Sequence, residues 1–320
     1  MGTNHTGREV PVPSTRHRRV TRWANIFIVV TVALGGMVCA TDSSSACPAW
    51  PVCYANQVGP VIQAGWLENP VIEFVHRAIS FAALVLLGVS GWMGRRHADP
   101  RVRILPWVAL LCAIGSAVFG MMIILFTLPL GLSLLDLAFA LIAMVLIAVT
   151  DAALRPGAAR FAPSRPRPLL LSRLAAGALG VLIVMHLLGS IVAGTTADGV
   201  ASFTRCLSWP LWEVHDIDRF PALQVLRIAL AVTAIVLIVL VVLVAQRRGV
   251  GRLPAGLAAG LLVLELALGI LITNAGLAPT QTNGIDATIA VTYSAVAVGI
   301  MWALAWVLGE SLGAARPQSR

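Results

Sequence analysis

Eight apolar runs constrain this chain more than any other feature. They fall at roughly 24–41, 72–93, 104–126, 131–150, 170–194, 222–245, 253–274 and 286–308. Each is close to the ~20 apolar residues that an α-helix needs to cross a bilayer. A backbone in hydrocarbon must satisfy its own polar groups, which leaves helices or closed barrels. Runs this long and this apolar predict helices. The charged fraction of 12% agrees, since soluble domains carry about 25%. The predicted fold is therefore an all-α integral membrane protein, with eight transmembrane helices arranged as two pseudo-symmetric four-helix bundles.

The charges predict the orientation. Net charge is +9 and every basic residue is Arg. Arg8, Arg16, Arg18, Arg19 and Arg22 precede the first run, and Arg95, Arg96, Arg101 and Arg103 separate the second from the third. Arg155, Arg160, Arg165, Arg167 and Arg173 separate the fourth from the fifth; Arg247, Arg248 and Arg252 separate the sixth from the seventh. Arg316 and Arg320 close the chain. The alternate loops hold only Arg205 and Arg219. By the positive-inside rule both termini are expected in the cytoplasm of a multi-pass cell-membrane protein. Charges spread this way mark topology, not a nucleic-acid surface, so no nucleic-acid partner is expected. GGMVCAT (35–41) has the small residues of a signal-peptide cleavage site, but the first run is read as a retained span.

The expected organisation is a cytoplasmic tail over 1–23, a first four-helix half over 24–155, a Pro/Arg linker over 156–169, a second half over 170–309 and a tail over 310–320. The halves look duplicated. CPAWPVC (47–53) has an imperfect copy in CLSWPLW (206–212). NPVIEFVHRAISFA pairs with FPALQVLRIALAV when Arg77 is set on Arg227, which places His76 opposite Leu226. Setting Pro129 on Pro279 places Asp136 opposite Asp286. Each outer loop would then cap its own half.

Several residues could carry chemistry. Glu73 and His76 lie three apart at the outer start of the second span and so share a helix face. Ionisable groups inside a membrane usually face a protein interior or a cavity. Interfacial water is the plain alternative for Glu73, His76 and Arg77. Asp136, near the outer end of the fourth span, could accept from His76, pair with Arg77, or cap its helix. His186 and Glu265 sit mid-span, where a bond to a neighbouring helix is the ordinary role. His215, with Glu213, Asp216 and Asp218, reads as a solvated loop or a weak cation site. Cys47 and Cys53 fall in an outer, oxidising loop. No second close Cys/His pair completes a four-ligand zinc site, which favours a disulfide or a cycling dithiol. Cys39 and Cys112 read as packing residues, and Cys206 lacks a close partner in its loop. Trp50, Trp66, Trp209 and Trp212 suit an interfacial aromatic belt.

Together these strings resemble the heme A synthase family, whose first half follows GGxVRxTGSGLxCPxWPxC and then ExxHR. The matching text here is GGMVCATDSSSACPAWPVC and EFVHR. The resemblance covers most of 24–310 and is strongest over 35–90. It implies oxidation of a haem methyl to a formyl group, converting heme O to heme A for terminal oxidases. It implies catalytic roles for Glu73, Cys47 and Cys53, His76 as axial ligand of the haem iron, and Arg77 and Asp136 in haem binding. The implied partners are haem, membrane lipid, and a terminal oxidase or haem-biosynthesis enzyme. This sequence departs from the family at Cys39, where an Arg is expected, and in TDSSS for TGSGL. Asp136 stands about where the family's span-four His belongs, Leu226 replaces the span-six His, and no His follows His215. The family's second-half haem b is therefore expected to be absent. Two other functions are weighed against the enzyme: a non-catalytic haem-binding or oxidase-assembly protein, and an unrelated small-molecule transporter.

Overall fold

The computed structural model describes residues 15–126, 130–155, 169–193, 207, 209–210, 221–274 and 285–314, with side chains at 126–132 and at the edges of the other gaps excluded. Eight helices occupy them: α1 (Thr15–Thr41), α2 (Pro70–Gly94), α3 (Pro100–Phe126), α4 (Leu130–Ala153), α5 (Leu169–Ala193), α6 (Pro221–Arg248), α7 (Arg252–Asn274) and α8 (Ile285–Ala314). All eight are long and apolar enough to cross a membrane, and the described residues contain no strand. The expected linker and the segment from Glu213 to Asp218 lie outside the described residues.

Helix ends follow the local chemistry. Asn69 caps α2 by accepting the Val71 N–H at 3.0 Å, with Pro70 at the first turn, where its missing N–H costs nothing. Gly249 and Gly251, at φ of +74° and +66°, turn the chain between α6 and α7. Positive φ suits glycine, which has no Cβ to clash.

Neighbour contacts run around two rings, α1–α2–α3–α4–α1 and α5–α6–α7–α8–α5. The rings meet where α8 touches α1 and α4, and α4 touches α5. α8 is the most buried of the spans. At Gly309 it crosses α4 so closely that a Cβ would strike Val149 and Ala152.

Polar groups tie the same junction at the end where α2 turns into α3. Asn25 donates to Asp151 at 3.1 Å and accepts from Trp302 Nε1 at 3.1 Å. Arg155 lies 3.5 Å over the Trp306 ring and pairs with Glu310 at 3.2 Å. In hydrocarbon an unmet polar group costs several kcal/mol, so these bonds fix how α1, α4 and α8 sit together.

At the opposite end, which we call the loop end, the expectation that each loop caps its own half is corrected. Trp66 and Leu67 of the α1–α2 loop pack against Ala40 of α1 and also Ala290 of α8. Leu207 lies against Gly36 of α1, and the Tyr293 hydroxyl donates to the Trp209 carbonyl. The tryptophans divide accordingly. Trp50 is exposed, Trp66 partly covered and Trp209 fully buried, so Trp209 is a core residue and not part of a belt. Trp212 lies outside the described residues.

Candidate functional site at the loop end of the first ring

Cys47 and Cys53 form a disulfide and are fully buried. The seven-residue loop they close is held from beneath by one side chain. Arg77 donates through Nη2 to the Cys47 carbonyl (2.8 Å), and through Nη1 to the carbonyls of Ala49 and Val52 (the latter 3.1 Å). Its Nε donates to Glu73 Oε1 at 2.7 Å. A guanidinium presents donors in a fixed fork, which suits this convergence on several oxygens. Glu73, one turn earlier, is buried, so the pair is shielded from water. The sequence puts Glu73 and Arg77 at i and i+4, the favourable order for a helical ion pair.

His76, beside this pair, turns toward α1. Its ring bonds the Thr31 backbone. It lies beside Gly35, where an added Cβ would stand 3.4 Å from its Cε1, at van der Waals contact. His76 Nδ1 is buried and has no hydrogen-bond partner among the described residues, as is Thr31 Oγ1. Asp136 accepts from the Ser116 hydroxyl. Of the possible roles for Asp136, a bond from His76 or Arg77 is not formed among the described residues: Arg77 is engaged by Glu73 and the loop, and Ser116 reaches Asp136 across the α3–α4 contact.

Among the described residues no group of three or more His, Cys, Asp or Glu could hold a metal ion. A porphyrin iron makes a smaller demand, one or two axial ligands. The orphaned His76 nitrogen can supply one.

The second ring carries different chemistry. His186 and Glu265 are fully buried, and neither the ring nitrogens nor the carboxyl oxygens have partners among the described residues. Arg227 is fully buried and donates to Gln224 at 3.4 Å; its charge acts on His186. Leu226, opposite His76 in the repeat alignment, is 48% exposed. His215, Cys206 and Asp286 fall outside the described side chains.

Cys39 does not act as a simple packing residue, because it is disulfide-bonded. Cys47 and Cys53 pair with each other, and Cys112 is free and half-buried. Next to Cys39 the chain leaves α1 through Asp42, at φ +49°. Burial, and then the charge of Glu68, raise the Asp42 carboxyl above its ordinary range. Ser116, Thr31 and Gly35 were not singled out by sequence. Ser116 and Thr31 are single hydroxyls in apolar runs, a signal too common to select them.

No protein-family model matches the chain. Two curated proteins are similar to part of it. One is the heme A synthase of Alkalihalophilus pseudofirmus, 26% identical over 149 residues, which are 42% of this chain and 48% of the relative. The other is the heme A synthase of Halalkalibacterium halodurans, 28% identical over 125 residues, 36% of this chain and 40% of the relative. The matched part thus spans less than half the length of either relative.

Proposed function

We propose that this chain is a heme A synthase-like membrane oxidoreductase that takes a haem as substrate in its first ring. In this reading the reaction is oxidation of a haem methyl to a formyl group. The observation that carries it is the His76 imidazole, beside Gly35 with one nitrogen unpartnered among the described residues, near a loop closed by Cys47–Cys53. The similarity to two heme A synthases supports the same assignment at family level.

Each residue then has a task. His76 would be the ligand to the haem iron. Arg77 holds the disulfide loop over the site, and Glu73 orients Arg77 while keeping a carboxylate near the substrate. Asp136, oriented by Ser116, would contribute to haem binding from α4. Cys47 and Cys53 set the shape of the loop or cycle with the reaction. The two rings derive from one duplicated four-helix unit, both termini are cytoplasmic, and the second ring holds no haem b. Expected partners are a terminal oxidase or another haem-biosynthesis enzyme.

One observation favours a second reading, a non-catalytic haem-binding or oxidase-assembly protein. Leu226 faces outward, where a second-ring ligand would be needed to relay electrons. The test is expression with a heme O source in a host lacking heme A synthase, followed by haem extraction. Heme A in wild type and none in His76→Ala supports the enzyme. Bound haem without heme A supports the second reading.

A further inference from the structure

The α1–α2 loop has no charged residue between Asp42 and Glu68. It is nevertheless a built loop. Asn69 Nδ2 donates to the carbonyls of Gln63 (3.3 Å) and Gly65 (2.7 Å). The Tyr54 hydroxyl donates to Ala46 O at 3.1 Å, and Gln57 Nε2 to Gly59 O at 3.0 Å. These bonds order the loop around a short apolar prong, which stands out beside the exposed side chains of Asn56, Gln57 and Gln63. Ile62 is 90% exposed, Val58 71% and Val61 49%. A loop tip in water ordinarily carries polar side chains, and contiguous exposed apolar residues mark a contact surface.

We propose that the Val58–Ile62 prong lies in the interfacial layer of the leaflet on its own side of the membrane, against lipid. Three observations select lipid as the occupant. The loop is tied at both ends to membrane-length helices, at Thr41 and Pro70, so that leaflet is its nearest apolar phase. It has no charge to desolvate on entry, which for Lys, Arg or Asp is the dominant cost. Trp50, a residue type enriched at membrane interfaces, is exposed in the same loop. The exposed polar residues beside the prong, Asn56, Gln57 and Gln63, are uncharged and can stay at the headgroup level. This inference is independent of the haem reading.

The test uses the full chain in phosphatidylcholine vesicles. Ile62→Cys and, separately, Val58→Cys are made in a Cys112→Ser background and labelled with a polarity-sensitive fluorophore. A doxyl group near the top of the lipid acyl chain is the membrane quencher, and iodide is the aqueous one. Amphipathic segments sit about 5–10 Å into this layer, so the account predicts blue-shifted emission, strong doxyl quenching and weak iodide quenching at both positions. Emission open to iodide overturns the proposal. So does emission protected from both quenchers, which would place the prong against protein, a second copy included.

Discussion

The two arginines that pair when the halves of the sequence are aligned, Arg77 on α2 and Arg227 on α6, sit on helices that turn different faces to their rings. On α2 the inward positions include Glu73, Ala83 and Leu87, and Phe81 is exposed. On α6 they are Gln224, Arg227, Ala231, Ala234 and Ile238. Measured from the shared arginine, the core face of α6 is shifted by one residue. One residue is about 100° of helix, so Arg227 moves fully inward and Leu226 moves out toward lipid. His76 lies against α1, beside Gly35 and bonded to the Thr31 backbone. A sequence alignment pairs His76 with Leu226 as ligand and lost ligand. The structure adds that the second ring buries its guanidinium fully, whereas Arg77 of the first ring turns to the disulfide loop.

The sharpest way to break this contrast is Arg77→Ala. It frees the disulfide loop and strands the buried Glu73 carboxylate. Removing one partner of a buried pair costs about 3–5 kcal/mol, so thermal unfolding in detergent is expected to fall by several degrees or more and the loop to become protease-sensitive. Leu226→Ala, at the outward site of the other ring, is expected to stay within about 0.5 kcal/mol. Equal losses in the two variants would remove the contrast.

Next in size is Cys47→Ser. Opening a ring this short is expected to cost roughly 2 kcal/mol by chain entropy, measured as a lower unfolding midpoint in the variant than in wild type without reductant. Cys39 should likewise resist maleimide until reduced, whereas Cys112 should label on denaturation without reductant.

Adjacent glycines on α1 separate site from scaffold. Gly36→Ala forces a Cβ against Ser294 of α8 and against Leu207, and is expected to cost about 1–3 kcal/mol, as overpacking does. Gly35→Ala meets only the His76 ring. Its unfolding midpoint should change little, while haem retention or the haem absorption spectrum should shift. If Gly35→Ala lowers stability as much as Gly36→Ala and leaves haem unaffected, the contact of Gly35 with His76 has no part in the site.

The smallest effect concerns pH. The Asp42 carboxyl is raised in the folded chain by burial and by Glu68. As pH rises, the unfolded chain releases this proton first, so the stabilising contribution is complete below the unfolded value of about 3.9. It is lost as pH climbs through the raised folded value, then stays level. Asp42→Asn, which keeps the tolerance for positive φ, should flatten that part of the pH profile. An unchanged slope would assign it to another group.

The helices were readable in the sequence because hydrocarbon imposes one signal, a run of apolar residues, on every span. All eight runs coincide with helices, and the ends differ mainly where caps or polar turns extend a helix beyond its apolar part, as at Thr15 of α1. The Cys47–Cys53 pair was readable from spacing and loop position. The hold of Arg77 on three loop carbonyls was not, since backbone acceptors leave no trace in side-chain identity. Ser116 with Asp136, and Asn25 with Asp151 and Trp302, depend on which helices adjoin, and apolar periodicity around a membrane helix does not encode that. The crossing of loops onto the other ring was missed for the same reason: a duplicated motif predicts a like unit, but not which neighbour covers it.

The most direct test of the central claim compares purified wild type, His76→Ala and His186→Ala by reduced-minus-oxidised spectra and extracted haem. The account predicts haem in wild type and in His186→Ala, and its loss in His76→Ala by about tenfold or more, equivalent to about 1.4 kcal/mol of binding or greater. Haem that persists in His76→Ala, or that disappears in His186→Ala while the fold survives, would contradict it and move the site out of the first ring.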